Sequence, residues 1–508
     1  MVFPSRGCIT CKQRRIKCDS VHPTCGRCQK ANRPCNWDGE ETAGLLFRSE
    51  NAFAQGRPRR PWKPKGREGA EVEIQPDDDP VVSVISPPTL MASPVAGEAL
   101  RFWLKNYVFQ RDEIPELARE YTYYLETYRG RDQPDSSLRL AVSAFSRAIF
   151  ARATHPDTAT DDAEGFFARS IAKMQDEFHG LSQENIDELL LTTMLLAHYE
   201  NMRYQSQTQE QDESPLAYGV TGFRFWKDVC HHCGAAGLLK LRRERGWSPN
   251  LPLDRSVRRQ LIRTYILRGE PVDEWLEDGA QYGEEGPVLG LDSVMVRLAH
   301  LRSNSLCLFL PKSGMFSSQL HPPDVVAQAL ELDVALETWS RDIPEGWEFS
   351  TKSATTPSAT FDGFTHVYAT HGHAAIWNRY RAVHVIVNSM RKRALIIMSR
   401  CSTQMISTVA EQEVCQEKIT SLATDICRSI PVFASQDPNS SAAGTMSISN
   451  SISPKMATLL AWPLTLVIST EYVPEPQKQW LRNILKSIAN SLGDAVLEAV
   501  TEKSEFKF

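Results

Sequence analysis

Three patterns in the 508-residue sequence predict a small N-terminal domain built around clustered cysteines, a disordered linker and a large all-α domain. Six of the twelve cysteines fall within the first 35 residues, a proline-rich and charged stretch follows, and apolar residues then recur every three or four positions. A hydrophobic content of 42% and a charged content of 23% are ordinary for a soluble globular protein of more than one domain.

The charge of the chain is distributed unevenly. Residues 1–67 hold fifteen Lys and Arg against five Asp and Glu, a net charge of +10, while the remaining 441 residues carry −15. This asymmetry predicts an N-terminus that binds a polyanion. No apolar run typical of a signal peptide opens the chain, and the apolar residues 457–468 are too few to span a bilayer and contain Pro463. We expect an intracellular protein with no membrane partner, whose clustered cysteines bind metal rather than form disulfides.

The clustered cysteines repeat one spacing. Two copies of Cys-x2-Cys-x6-Cys are separated by six residues, and their members are Cys8, Cys11, Cys18, Cys25, Cys28 and Cys35. Structural zinc takes four ligands in a tetrahedron, so six thiolates complete two sites if two of them bridge. A zinc ribbon would leave Cys18 and Cys35 unused, and an iron–sulfur site needs different spacing. The sequence therefore favours a binuclear zinc cluster domain with two Zn²⁺ ions per chain.

Residues 5–38, SRGCITCKQRRIKCDSVHPTCGRCQKANRPCNWD, resemble the DNA-binding domain of the fungal Zn(2)-Cys(6) binuclear zinc cluster transcription factors. Besides the cysteine spacing, Pro23, the Arg6-Gly7 pair and the run from Lys17 to Asp19 fit that family. The resemblance implies that Cys8 and Cys25 bridge the metals. One zinc would then bind Cys8, Cys11, Cys18 and Cys25, and the other would bind Cys25, Cys28, Cys35 and Cys8.

Four cations lie between Cys11 and Cys18, namely Lys12, Arg14, Arg15 and Lys17. Six thiolates around two divalent ions leave a core charge of −2, which tolerates cations nearby, and arginine suits a bidentate grip on guanine O6 and N7. The resemblance implies that these cations lie on a short helix that enters the major groove of DNA. Arg14 and Arg15 would read a CGG-type triplet there, and Lys12 and Lys17 would contact phosphate. The alternative is that all four only hold phosphate. The sparser cations of the second half, Arg27, Lys30 and Arg33, would contact the DNA backbone at most.

The resemblance implies a nuclear transcription factor that binds double-stranded DNA, regulates RNA polymerase II genes and works with the transcription machinery or co-regulators. It also implies a helical regulatory domain of the fungal transcription factor type after the cluster. The alternative is a zinc-dependent protein-interaction or co-regulator protein without sequence readout. Because no sustained heptad pattern follows the cluster, the sequence leaves monomer and homodimer open. No catalytic motif is present, and we expect no enzyme activity.

The predicted boundaries are 1–40 for the cluster, 41–97 for the linker and 98–508 for the all-α regulatory domain. Within the linker, residues 57–67 are basic and proline-rich, which suits nuclear import, DNA contact or a solvated spacer. An acidic patch at 71–79 and a Ser/Pro-rich run at 84–94 complete a composition typical of disorder.

The body shows helical periodicity with polar breaks, for example at 243–252, 350–362 and 436–454. Segments 225–239 and 367–387 resemble helices of that regulatory region. The first contains Cys230-His231-His232-Cys233, which we interpret as part of an ordinary helix because four consecutive residues of a helix cannot all face one ion. His371 and His373 are likewise expected to be hydrogen-bonded polar residues, and Trp462 and Trp480 core aromatics.

Overall fold

The computed structural model of the chain describes residues 10–11, 18–19, 24–35, 94–110, 113–125, 135–154, 160–203, 226–309, 320–401, 405–435 and 451–502. The predicted basic stretch 57–67 and all of the predicted linker before residue 94 lie outside these residues. The chain divides into two compact units, Met1–Val84 and Ile85–Phe508. Among the described helices, none is both long enough and apolar enough to cross a membrane.

The first unit contains one short described helix, α1 (Gly26–Lys30), in the second half of the cysteine repeat. Its buried core consists of Cys11, Cys25 and Cys28, against which Cys18 and Cys35 pack. Thiols therefore take the place that aliphatic side chains fill in an ordinary domain, as expected for a segment too small to form an apolar core.

The second unit is mostly helical in its described residues. In chain order its helices are α2 (Pro94–Tyr107), α3 (Ser137–Thr154), α4 (Thr160–His179), α5 (Ile186–Met202), α6 (Trp226–Glu244), α7 (Leu251–Arg268), α8 (Glu274–Glu277), α9 (Gly286–Phe309), α10 (Pro322–Arg341), α11 (His371–Cys401), α12 (Met405–Ala434), α13 (Pro454–Ile468), α14 (Glu475–Leu492) and α15 (Ala495–Glu502). The first of them starts at Pro94, four residues before the predicted domain boundary at 98.

Helix ends coincide with residues whose chemistry stops or starts a helix. Helix α10 begins with a capping box in which His321 and Asp324 bond each other's backbone, followed by proline in the first turn. Helix α7 ends at Gly269, whose φ of +66° lies in the left-handed region. A Cβ at Gly269 would also lie 2.7 Å from Leu306 Cδ1, so both conformation and packing require glycine there.

The core of the second unit is one continuous apolar cluster with α11 at its centre. Helix α11 packs along α12 and against α10 and α13. Its Val383, Val385 and Ile386 are at most 1% exposed. Since apolar side chains point inward on several faces, α11 lacks the single stripe of a surface helix and is enclosed by its neighbours.

The expectation of a purely α-helical body is wrong in one detail. Strands β1 (Ser350–Ser353) and β2 (Phe364–Val367) form an antiparallel hairpin in which Ser350 pairs with Val367 and Ser353 with Phe364. These residues fall within and beside a stretch that the sequence presents as a polar break. Strands of four residues, one of them exposed throughout, are too short to give a recognisable alternating pattern.

Several predictions for individual segments are confirmed. The apolar row Cys415, Ile419, Leu422, Ile426 and Ile430, which the sequence indicates as the core face of a globular helix, lies on α12, where Leu422 is partly buried and the other four are fully buried. Residues 457–468 lie in α13, a helix with many buried side chains. Trp462 and Trp480 are partly buried and pack against the main core.

Candidate metal cluster and nucleic-acid interface

Cys25 caps helix α1. Its backbone is extended, with φ −68° and ψ 145°, and its Sγ accepts a hydrogen bond from the Cys28 N–H at 3.3 Å. The Cys25 N–H donates in turn to Cys35 Sγ at 3.2 Å. The thiol thus fills the position that a Ser or Asp oxygen commonly occupies at a helix N-terminus. The start of α1 therefore places backbone N–H groups against the sulfurs of Cys25 and Cys35.

Sulfurs from the two halves of the repeat meet in the centre of the unit. Cys11 Sγ lies 3.6 Å from Cys25 Sγ and 3.9 Å from Cys28 Sγ, and all three residues are fully buried. A second group, Cys18, Asp19 and Cys25, also brings its potential ligand atoms within 4.8 Å of one another. Five of the six predicted cysteine ligands are therefore described and gathered together, whereas Cys8 lies outside the described residues.

The sulfur positions fit zinc. Four thiolates at about 2.3 Å from one Zn²⁺ have sulfurs about 3.8 Å apart, close to the separations of Cys11 from Cys25 and Cys28. In the predicted ligand scheme Cys11 and Cys25 share an ion, as do Cys25 and Cys28. Cys11 and Cys28 would bind different ions, and their approach to 3.9 Å is closer than that scheme requires. The full assignment of ligands to two ions remains a prediction.

The environment of Cys25 favours the thiolate that a metal needs. Burial raises the pKa of the Cys25 thiol, but hydrogen bonds from the Cys28 backbone and from neighbouring thiols outweigh burial, so its pKa is lowered overall. A thiol that ionises readily binds a cation with a smaller cost of proton release. Cys25 is also the residue for which the resemblance implies contact with both ions.

Two polar contacts connect the halves of the repeat. The Asp19 carboxylate accepts the Gly26 N–H, with N···O distances of 2.9 and 3.2 Å, and Thr10 Oγ1 donates to the Pro34 carbonyl at 2.8 Å. A Cβ at Gly26 would lie 2.6 Å from Asp19 Oδ2, so glycine permits this contact. From the sequence, Asp19 was noted only as part of the run from Lys17 to Asp19 that fits the family. Its contact with Gly26 was not predicted, because contacts between the halves depend on how the chain folds back.

The predicted DNA-reading residues, Lys12, Arg14, Arg15 and Lys17, lie outside the described residues, and their roles stay predictions. The cations of the second half are described: Arg27, Lys30 and Arg33 are all exposed, the first two on α1. They do not pack into the cysteine core and can contact a polyanion without unfolding it.

The other histidine and cysteine candidates are parts of the helical body. His231 Nε2 lies 3.5 Å from Glu200 Oε2, His371 Nε2 lies near the carbonyls of Val432 and Ser435, and His373 Nδ1 bonds Thr370 Oγ1. Within the described part of the chain, groups of three or more potential metal ligands occur only at the cysteine cluster. The interpretation of His371 and His373 as hydrogen-bonded polar residues is confirmed.

Comparison with known proteins identifies the cysteine-rich segment. Residues 6–42 match the model of the fungal Zn(2)-Cys(6) binuclear cluster domain. A Zn(2)-C6 fungal-type transcription factor of Gibberella zeae is 47% identical over 45 residues, which cover 9% of each chain. Transcription factor lfc1 of Flammulina velutipes is 52% identical over 31 residues, covering 6% of this chain and 11% of that protein. Arginine metabolism regulation protein II of Saccharomyces cerevisiae is 59% identical over 29 residues, covering 6% and 3%.

These similarities are local. The chain spans about a tenth or less of the length of these three relatives, no solved structure matches it, and the family model leaves the helical body outside its bounds. Within those bounds the predicted resemblance and the predicted cofactor, two zinc ions held by cysteines, are confirmed. The N-terminal segment, residues 6–42, therefore matches the fungal Zn(2)-Cys(6) binuclear cluster family.

Proposed function

We propose that the protein is a nuclear, sequence-specific DNA-binding regulator of genes transcribed by RNA polymerase II. The observation that carries this proposal is the match of residues 6–42 to a binuclear zinc cluster domain, together with the four cations that the sequence places between Cys11 and Cys18. The relatives named as transcription factors support the same class of activity.

The electrostatics of the segment suit DNA. A cluster of six thiolates and two zinc ions has a core charge of −2, yet the Lys, Arg, Asp and Glu side chains of residues 1–67 contribute +10. Cations in such excess attract phosphates and release counterions on binding. We assign Lys12 and Lys17 to phosphate contacts, and Arg14 and Arg15 to guanine edges in a CGG-type triplet. The exposed Arg27 and Lys30 of α1 add positive charge on the other half of the unit.

We assign the helical body, residues 98–508 with the start of α2 before them, to regulation through the transcription machinery or co-regulators. The remainder of residues 41–97 then forms a linker, whose basic stretch 57–67 serves nuclear import or DNA contact. The size and continuity of its apolar core, which shares no residue with the cysteine core, support a body that folds separately from the DNA reader.

The proposal is tested by fluorescence anisotropy of the full chain with zinc on a CGG-bearing duplex and a scrambled duplex. We expect tighter binding to the CGG duplex. A bidentate guanine contact contributes roughly 1–3 kcal/mol of discrimination, so Arg14→Ala or Arg15→Ala should reduce the preference by about five- to 150-fold. Lysine at the same position should restore affinity more than selectivity, because it keeps the charge but lacks the planar fork.

Lys12→Ala and Lys17→Ala are the matched controls. Each should weaken binding to both duplexes alike and lower the salt slope by about one unit. Equal affinity of the unaltered chain for both duplexes, with the zinc content intact, would contradict sequence readout and favour a zinc-dependent protein-interaction module.

A further inference from the structure

A cavity of about 180 Å³, partly open to the surface, lies in the helical body. It forms where α5, α7, α13 and α15 meet, close to the short helical turn at Tyr121–Tyr124. For comparison, an engineered apolar cavity of about 150 Å³ holds benzene. The space therefore suits a molecule of roughly one aromatic ring with a small substituent.

Much of the cavity wall is apolar. Met194, Leu267, Trp462, Leu497 and Val500 contribute to it. The Trp462 indole N–H donates to the Arg263 carbonyl at 3.2 Å, so the orientation of the ring is set by a hydrogen bond. A rigid aromatic plane beside aliphatic side chains is the usual lining for the apolar part of a small ligand.

The charged side chains at the cavity are not equivalent. Arg263 pairs with Glu120 at 2.7 Å, and Asp494 accepts the backbone N–H groups of Val496 and Leu497 at 3.0 Å each. Arg268 bonds Glu270, which does not line the cavity. The second terminal nitrogen of Arg268, Nη1, is buried and has no hydrogen-bond partner within the described part of the chain.

An unpaired buried guanidinium N–H is costly, and a hydrogen bond to a charged group recovers roughly 1.5–3 kcal/mol, or about tenfold or more in affinity. The missing partner must be an acceptor, since guanidinium offers only donors, and a carboxylate matches its geometry best. The other three charged lining groups are already paired or capped, so Arg268 is the charged lining residue that keeps a donor without a partner in the described part of the chain.

We propose that this cavity binds a small organic carboxylate whose apolar body, about one ring in size, packs against Trp462 and whose carboxylate bonds Arg268. The site uses residues of the helical body alone. Ligand binding at this site can therefore be tested independently of DNA binding by the cysteine cluster. The proposal gives the body a ligand in addition to its proposed regulatory role.

The probe is 4-fluorobenzoate, titrated into the full zinc-loaded chain and followed by ¹⁹F NMR line broadening, with 4-fluorobenzyl alcohol as its uncharged counterpart. We expect saturable binding of one benzoate per chain and weaker binding of the alcohol. Arg268→Gln should weaken benzoate by roughly tenfold or more while changing the alcohol by less than about threefold. Ala461→Phe, which fills the cavity from α13, should remove binding of both probes.

Matched surface variants control for general effects. Arg297→Gln removes an exposed cation, and Val334→Phe adds a ring at an exposed position; both should bind benzoate as the unaltered chain does. Thermal unfolding of each variant shows whether it is folded, and Arg268→Gln, a smaller change, tests the site if Ala461→Phe does not fold. Absence of benzoate binding, unchanged affinity in Arg268→Gln, or equal affinity for the alcohol would each overturn the proposal.

Discussion

At the scale of single residues, one buried carboxylate of the body is surrounded by hydrogen-bond donors. This residue is Asp333 on α10: Oδ1 accepts from His384 Nε2 at 2.6 Å and from Asn388 Nδ2 at 2.7 Å, and Oδ2 accepts from Lys418 at 2.6 Å. Burial raises the pKa of Asp333, but these hydrogen bonds outweigh burial and hold the pKa well below its usual value.

This network predicts a pH-dependent contribution to stability. Because the folded state lowers the pKa of Asp333, its contribution is fully present above the unfolded value of about 4 and is lost as the pH falls below that value. Asp333→Asn should cost about 3–5 kcal/mol near pH 7 by breaking a buried charge network. The difference from the unaltered chain should shrink as the pH falls below about 4, as measured by urea unfolding at a series of pH values.

Asp135→Asn is the control for Asp333→Asn, because the Asp135 side chain is 67% exposed and pairs with Arg169 at the surface. Its cost should stay under about 1 kcal/mol at every pH. A loss for Asp333→Asn that did not change between pH 7 and pH 3 would show that shape rather than charge is the reason for the aspartate.

At the scale of elements, the start of α11 shows packing overriding helix propensity. Gly372 is the second residue of this helix, and a Cβ there would lie 2.6 Å from Pro115 Cγ and 3.2 Å from Leu117 Cδ1. Gly165 in the interior of α4 has nothing within 4 Å of the same position. Identical substitutions at the two glycines therefore separate intrinsic helix preference from crowding between elements.

We expect Gly165→Ala to stabilise the body by roughly 0.5–1 kcal/mol, since alanine favours the helix interior. Gly372→Ala should instead destabilise it by about 1–3 kcal/mol, because the rigid Pro115 ring cannot rotate out of the way. Chemical denaturation midpoints measure both changes. Stabilisation by both substitutions would mean that the segment at Pro115 yields easily.

At the scale of the whole molecule, the two units depend on different forces. Among the described residues, the core of the first consists of cysteines, and the core of the second is one large apolar cluster that shares no residue with it. Metal binding therefore supplies the folding free energy of the first unit, whereas apolar burial supplies that of the second.

A chelator should consequently unfold the cluster segment and leave the body folded. Hydrogen exchange of the full chain should quicken in residues 8–35 and stay unchanged in α11 and α12. Metal analysis before chelation should return two zinc ions per chain. A single zinc, or quickened exchange in α11, would contradict the binuclear cluster or the independence of the two cores, respectively.

The sequence predicted much of the cluster, because its determinants are local. The spacing of Cys25, Cys28 and Cys35 fits a helix turn that the chain forms with its own backbone. Long helices were equally readable: the segments 225–239 and 367–387, which resemble helices in the sequence, lie mostly within α6 and α11. The hairpin of β1 and β2 was missed, since its pairing joins two short segments whose composition resembles a loop.

What the sequence determined by itself is therefore the metal, the class of N-terminal domain and the helical character of the body, all of which follow from spacing within one or two turns of chain. Only the tertiary structure decided the partners of Asp333 and the cavity at Trp462 and Arg268. Each of these depends on residues far apart in the chain. Their encounter is set by how whole helices pack, and that packing minimises exposed apolar area over the entire core rather than following any local pattern.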